Sequence, residues 1–199
     1  MVGSVSITGR IIRYMLLTLL ALIMIAPLLW MFRVSFTDPG SALTLDRLGG
    51  DNWTLANFVD LFSVGNMGRY LFNSMIVAVV VTIGNILFCV MTGWILARKR
   101  GLGNRLLFGS VVAVLMIPAH IVIIPLYRIC ITTGIYDSYW ALILPWLVSP
   151  IGIFLARQYI ETIPPSMEEA ARVDGASEWR ILMRIILPMC RPAVAVLAV

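Results

Sequence analysis

The sequence predicts an all-α integral membrane protein with four complete spans, the start of a fifth, and a cytoplasmic N-terminus. Composition is the first observation: of the 199 residues, 60% are hydrophobic and 13% are charged, against about 25% charged in a soluble domain. The second is four uncharged stretches of the length that a bilayer-spanning helix needs, roughly 20 residues. The third is an unequal distribution of Lys and Arg between the connections. Together they exclude a soluble enzyme, a disordered chain and a free nucleic-acid binder.

The candidate spans are residues 14–32, 70–97, 106–127 and 138–156. Helices are expected because each segment must pair its backbone N–H and C=O groups internally, and the alternation of a barrel strand is absent. A further apolar run begins at Pro192 and is too short at Val199 to span. The pattern predicts two parts: 1–66, with the first span and an extracytoplasmic loop, and 67–199, an incomplete transmembrane domain with a cytoplasmic loop at 158–191.

The basic residues predict the orientation. With the N-terminus inside, eleven of the 15 Lys and Arg residues lie on the cytoplasmic side and four lie outside. This agrees with the positive-inside rule. The net charge of +5 is therefore a topology signal, and it implies no nucleic-acid partner.

The first long connection, 33–69, is predicted to lie outside. Its residues 39–52 are rich in turn formers, and Thr54 is predicted to cap a short amphipathic helix. One interpretation is an interfacial helix anchored by aromatic side chains; the other is a contact for an extracytoplasmic partner. The aromatic side chains are Trp53, Phe58 and Phe62.

The second long connection, residues 158–191, is predicted to carry two short helices. Ser166 is expected to cap the first helix in a capping box with Glu169. Glu168 and Glu169 also favour the positive end of that helix dipole. Gly175 is expected to end the helix, because glycine adopts the left-handed conformation at no steric cost.

The second helix of this connection is predicted to begin at Ser177 and to end at Pro188. Its apolar face is expected to consist of Trp179, Leu182, Ile185 and Ile186. In the first helix, Ala170 and Ala171 permit close approach by another surface. The residues alone leave two interpretations open: a loop that packs against the membrane, or a docking surface for another protein.

This connection contains the pattern Glu169-Ala170-Ala171-x3-Gly175-x9-Ile185-x-Leu187-Pro188. The pattern resembles the EAA loop of permease subunits of bacterial ABC importers, with every fixed position at the family's spacing. Other segments resemble the carbohydrate branch of that family, which includes maltose-type importers. These segments are Phe72–Asn73–Ser74, Gly93–Trp94–Ile95–Leu96–Ala97–Arg98, Ile117–Pro118 and Asp137–Ser138–Tyr139–Trp140.

The resemblance implies a type I ABC importer transmembrane domain in the bacterial cytoplasmic (inner) membrane, importing a sugar or related polar solute. The implied partners are ABC ATPase subunits, which bind ATP and Mg, a second permease subunit, an extracytoplasmic solute-binding protein and membrane lipid. The family has six spans, so we expect a fragment of a longer permease; the alternative is a truncated, non-transporting product that still docks an ATPase. The implied ATPase-coupling residues are Glu169, Ala170, Ala171, Asp174, Gly175, Leu187 and Pro188.

Polar residues within the predicted spans suggest a solute pathway. One face of the second span is small or polar, and it favours either close helix packing, with Asn85 as an interhelical hydrogen bonder, or a pathway lining. Three roles are open for His120: a hydrogen bond to a backbone carbonyl that lacks a helical partner, a contact with the solute, or a proton relay. The proton relay is the least favoured of the three. The residues of that face are Ser74, Ala78, Thr82, Asn85, Cys89 and Gly93. The candidate pathway residues are Asn73, Thr82, Asn85 and His120.

Several motifs are missing from the sequence. The single lysine, Lys99, is followed by Arg100, so no Walker A motif is present. HExxH, GxSxG and metal-ligand spacings are also absent. We therefore expect a transport subunit that is not itself an enzyme and that holds no cofactor or metal. Because no carboxylate lies in a predicted span, coupling to an ion gradient is disfavoured.

Overall fold

The computed structural model describes residues 7–38 and 53–198, which are almost entirely helical. The chain divides into two compact units, Met1–Leu71 and Phe72–Val199. The turn formers predicted at 39–52 lie outside the described residues, as does Val199. The predicted division at residues 66 and 67 stays a prediction.

The first unit contains α1 (Ile7–Ser35), α2 (Ala56–Ser63) and the start of α3. Helix α1 is longer than the predicted stretch and has no buried residue, as expected of a helix whose surroundings are lipid. Asn57 of α2 donates from Nδ2 to the carbonyl oxygens of Ser35 and Thr37, at 3.0 and 2.7 Å. These bonds fix α2 against the end of α1.

The second unit is built on the long helix α3 (Met67–Arg98). The helices after α3 are α4 (Leu102–Leu115), α5 (Ala119–Thr132), α6 (Tyr139–Ile143), α7 (Pro150–Glu161), α8 (Ser166–Val173), α9 (Glu178–Ile181), α10 (Leu187–Met189) and α11 (Arg191–Leu197). Two helices, α4 and α5, follow α3. The next two helices, α6 and α7, are shorter and are connected through a 3₁₀ turn at Leu144–Trp146. The final helices form the loop region and the C-terminal segment.

Among the described residues, three helical segments are long and apolar enough to cross a membrane: Ile7–Ser35, Met67–Arg98 and Tyr139–Glu161. A fourth candidate is the pair α4 and α5, whose axes bend by 107°. The sequence suggested one continuous third span at 106–127, whereas the structure breaks it around Pro118. Proline lacks an N–H and disfavours helical conformation in the residue before it. The count of four complete spans stays a prediction.

Prolines also interrupt the fourth candidate span. Helix α6 ends at Ile143, the 3₁₀ turn contains Pro145, and Pro150 is the first residue of α7. Ser149 caps α7 by accepting from the backbone N–H of Gly152 at 3.3 Å. The N-terminus of α7, directly after the interruption, is therefore capped by a side chain.

The core of the second unit lies where α3 meets α7. At Gly93, an added Cβ would stand 2.8 Å from both the Cβ of Ala156 and the backbone nitrogen of Arg157. At Gly152 it would stand 2.8 Å from Sγ of Cys89. The small residues on this face of α3 therefore permit close helix packing, which is one of the two roles predicted for them.

Candidate functional site

The corner formed by α8, α9 and the turn between them is the part of the structure that corresponds to the predicted docking loop. Helix α8 begins one residue earlier than predicted. Pro165 takes the N-cap position and Ser166 is the first helical residue, with no side-chain cap bond. The predicted capping box between Ser166 and Glu169 is therefore wrong. Pro165 has φ −60°, a value that suits a helix start.

The N-terminal turn of α8 is held by a buried carboxylate, that of Glu168, for which the sequence predicts only a favourable position at the helix dipole. Glu168 is 1% exposed. Its Oε2 accepts from Nε1 of Trp94 at 2.9 Å, and its Oε1 accepts from Nε of Arg98 at 2.7 Å. Nη2 of Arg172 lies 3.5 Å from Oε2. We call Trp94, Arg98 and Glu168 the Glu168 cluster.

The C-terminus of α8 closes in a Schellman motif, which confirms that Gly175 ends the helix. The N–H of Ala176 donates to the carbonyl of Ala171 at 2.9 Å, and that of Gly175 donates to Arg172 at 3.0 Å. Gly175 has φ +78°, in the left-handed region that other residues enter only with strain. The chain can therefore reverse sharply directly after Asp174.

An ion pair crosses the turn between the two helices. Arg172 donates from Nε and Nη2 to the two carboxylate oxygens of Glu178, at 2.8 and 3.2 Å. This hydrogen bonding lowers the pKa of Glu178 below its ordinary value and raises the pKa of Arg172. The pair is therefore charged at neutral pH, and its support is lost only in acid, as pH falls through the lowered pKa of Glu178. Because both side chains are largely exposed, its contribution to stability is small.

The second helix begins as predicted, because Oγ of Ser177 accepts from the N–H of Arg180 at 3.4 Å. It does not end at Pro188. The backbone continues through a π-helical turn at Leu182–Ile186 into α10, which contains Pro188. A proline has no N–H and clashes with the carbonyl four residues before it, and the wider π turn accommodates this without ending the helix.

Burial divides the corner into an inner and an outer side. Ala171, Ile185 and Leu187 pack against the core of the second unit, where Ile181, Leu182 and Ile186 are buried. Trp179, predicted on the apolar face, is instead 61% exposed. The outer side consists of Met167, Glu169, Ala170, Val173, Asp174, Gly175 and Trp179.

Two exposed apolar residues of the outer side, Met167 and Val173, are not among the residues predicted from the sequence, whereas Ala170 and Trp179 are. Met167, Ala170 and Val173 recur every three residues and so share one side of α8, and Val173 is 87% exposed. Their helical spacing was the signal that could have identified them. A capped helix of two turns with a small apolar side is suited to insertion into a groove of another protein.

The candidate pathway residues lie on two helices. Asn73, Thr82 and Asn85 belong to α3, and Asn73 and Asn85 bond to the region of α6. Oη of Tyr139 donates to Oδ1 of Asn73 at 2.7 Å, and Nδ2 of Asn85 donates to the carbonyl of Trp146 at 3.1 Å. Asn85 thus makes the interhelical bond expected of the packing role. His120 is exposed on α5, and the pathway roles stay predictions.

Replacing His120 with alanine is expected to leave the pH dependence of transport unchanged. The predicted spans contain no Asp, Glu or second histidine, so a proton on His120 would have no acceptor to pass to. The measurement is uptake by the variant and the wild type over a range from about pH 5 to 8. A shifted pH optimum in the variant would contradict this and support a proton relay.

The fold is similar to that of a known membrane transport subunit. A chain of the crystal structure of a bacterial ABC transporter involved in the import of the acidic polysaccharide alginate superimposes with a TM-score of 0.83. The match covers 98% of this chain and 71% of that chain, at 22% identity. The fold class is therefore the transmembrane domain of an ABC importer.

Sequence comparison identifies the family. Residues 89–199, more than half of the chain, match the family described as binding-protein-dependent transport system inner membrane component. The chain belongs to this family, and it is a multi-pass protein of the inner membrane.

The relatives include permease proteins of several uptake systems. The diacetylchitobiose uptake system permease protein of Streptomyces coelicolor is 32% identical over 94% of this chain and 63% of the relative. The arabinooligosaccharides transport system permease protein of Halalkalibacterium halodurans is 35% identical over 73% of this chain and 53% of the relative. The sn-glycerol-3-phosphate transport system permease protein of Agrobacterium fabrum is 30% identical over 96% and 71%. The chain thus spans between half and two thirds of the first two relatives.

Proposed function

We propose that this chain is, or is part of, the permease subunit of an ATP-driven importer that moves a sugar or related polar solute across the inner membrane. The observation that carries the proposal is the α8 corner, which is capped, tied to the core and exposed on a small apolar side. Such a helix fits a groove on a cytoplasmic ATPase subunit. The sugar assignment is supported by two of these relatives, whose names specify diacetylchitobiose and arabinooligosaccharide systems.

The proposed partners follow from the family. A solute-binding protein delivers the solute from outside, a second permease subunit completes the pathway, and ATPase subunits bind ATP and Mg. This chain supplies the membrane helices and the coupling corner, and catalysis of ATP hydrolysis belongs to the partner. Within the corner, the outer residues Glu169, Ala170, Asp174 and Gly175 contact the ATPase. The inner residues Ala171 and Leu187, together with the exposed Pro188 of α10, connect the corner to the helices that follow.

Co-purification and reconstitution test the proposal. The chain, within its full-length gene product, is purified from its native membrane, and associated proteins are identified by mass spectrometry. The complex is then reconstituted in liposomes with the recovered binding protein, and uptake of radiolabelled chito- and arabino-oligosaccharides is measured with and without ATP. Recovery of an ATPase subunit, a second permease and ATP-dependent uptake are expected. A complex that contains no ATPase would contradict the proposal.

Replacing Glu169 with lysine is expected to weaken binding of the ATPase subunit. The side chain is exposed in the first turn of α8, where a negative charge is favourable and a positive one is not, by about 0.3–1 kcal/mol each. Reversal therefore loosens the helix that docks and changes the charge it presents. The measurement is the amount of ATPase retained on the purified permease, with Glu169→Gln as the intermediate case. Unchanged co-purification of both variants would remove Glu169 from the interface.

A further inference from the structure

The Glu168 cluster joins α8 to the end of α3, two helices that are distant in the sequence. Trp94 and Arg98 are four residues apart and so share one side of α3. They donate to separate oxygens of the Glu168 carboxylate, which lies 74 residues after Trp94 and 70 residues after Arg98 in the sequence. Arg98 also donates from Nη2 to the carbonyl of Ile163 at 2.8 Å. One arginine therefore holds both α8 and the connection that leads into it.

We propose that the Glu168 cluster transmits displacement of α8 to α3, so that the two helices move as one body when the ATPase acts on the corner. Trp94, Arg98 and Glu168 are positioning residues in this scheme. The inference rests on the proposed function, and it deepens it by naming the path from the corner to the candidate pathway residues Asn73, Thr82 and Asn85 on α3.

Burial makes this connection stiff. Glu168 is 1% exposed and Trp94 is 7% exposed, so water has little access to these groups while the bonds are intact. Separating α8 from α3 would leave an ionised carboxylate inside the protein without its donors, which is strongly unfavourable. The close approach of Gly93 to Ala156 and to the backbone of Arg157 adds a second fixed contact at the same end of α3.

The side-chain ion pair that joins α8 to α9 is weaker than the Glu168 cluster. Towards α9, the chain passes through the turn at Gly175, and the ion pair across that turn joins Arg172, 41% exposed, to Glu178, 63% exposed. Exposed ion pairs contribute little because water competes for both partners. A push on α8 is therefore passed more rigidly to α3 through Glu168 than to α9 through Glu178.

The test uses Glu168→Gln and Trp94→Phe in the full-length permease, assembled with its ATPase and reconstituted in liposomes. Glu168→Gln removes the charge, and Trp94→Phe removes one donor while keeping an aromatic ring. Two quantities are measured per assembled complex: amide hydrogen exchange in α8, and uptake of the radiolabelled oligosaccharide mixture per ATP hydrolysed. We expect α8 amides in Glu168→Gln to exchange at least about tenfold faster. We expect uptake per ATP to fall about fivefold or more, the lower end of usual coupling between sites.

Glu161→Gln is the matched control. It makes the same change in an ion pair, with Arg157 at 2.6 Å, that lies within α7 and does not reach α8. It should alter neither quantity. Unchanged exchange in Glu168→Gln would overturn the inference. Faster exchange with unchanged uptake per ATP would overturn transmission but leave the permease function standing. Absence of ATP-driven uptake in the wild-type complex, both of the mixture and of the solute that the recovered binding protein retains, would overturn the proposed function and transmission together.

Discussion

Replacing Gly175 with valine is expected to reduce transport about tenfold or more while ATP hydrolysis continues. Gly175 has φ +78°, and an L-residue pays about 1–2 kcal/mol in this region; a β-branched residue is the least tolerated there. No atom lies within 4 Å of the position where a Cβ would stand. Within this chain the penalty therefore arises from backbone strain alone, and it acts on the turn that fixes α8 relative to α9.

Three further substitutions separate strain from other causes. Gly175→Asn should be nearly neutral, because asparagine tolerates the left-handed conformation, and Gly175→Ala should be intermediate. Gly103→Val is the matched control, since Gly103 is exposed in the first turn of α4, has ordinary φ and also has open space around its Cβ position. The measurement is uptake per ATP hydrolysed in liposomes. Equal loss in Gly175→Val and Gly103→Val, or normal uptake in Gly175→Val, would contradict the prediction.

The turn at Gly175 and the start of α9 could be predicted because their signals are local. A Schellman motif and an N-cap each depend on residues within one helical turn, so Gly175 and Ser177 identify them directly. The start of α8 was misplaced by one residue for a related reason. Pro165 has a fixed φ that already fits the helix, so the helix began before the serine that resembled a cap.

The break in the third predicted span could be located from Pro118, but its size could not. A proline within an apolar stretch indicates a kink, whereas a bend of 107° depends on which helices pack against each half. The π turn before Pro188 is a similar case. The proline indicated an interruption, and the structure accommodates it by widening one turn at Leu182–Ile186, whose end residues Leu182 and Ile186 stay buried.

The Glu168 cluster could not be predicted, because Trp94 and Arg98 belong to α3 and lie 74 and 70 residues before Glu168 in the sequence. Glu168 and Glu169 are adjacent and chemically alike, and only the packing of α3 decides which one is buried. Several arginines are predicted to lie on the cytoplasmic side with Glu168, so the sequence offers several possible partners for its carboxylate. The sequence therefore emphasised Glu169, the residue of the recognised motif, while the structure gives the buried contact to its neighbour.

Replacing Arg98 with alanine is expected to destabilise the protein by about 3 kcal/mol. The arginine side chain is 16% exposed and its partner Glu168 is 1% exposed. Removing one member of a buried ion pair costs about 3–5 kcal/mol, because the other charge stays buried without compensation. Arg172, at 3.5 Å from the same carboxylate, retains some attraction, which places the expected cost at the lower end. The measurement is the free energy of unfolding of the detergent-solubilised protein.

A double-mutant cycle identifies the cause of that loss. In the Glu168→Gln background no charge is left behind, so Arg98→Ala should cost less than about 1.5 kcal/mol, a difference within the range found for directly contacting residues. Arg157→Ala is the comparison variant. Its partner Glu161 is 38% exposed and can be rehydrated, and the guanidinium of Arg157 also lies 3.8 Å from the centroid of the Phe108 ring, so the summed loss should be about 1–2 kcal/mol. If Arg98→Ala costs the same in both backgrounds, the effect comes from lost packing and from the bond to Ile163. In that case the carboxylate of Glu168 would not be what holds α8 against α3.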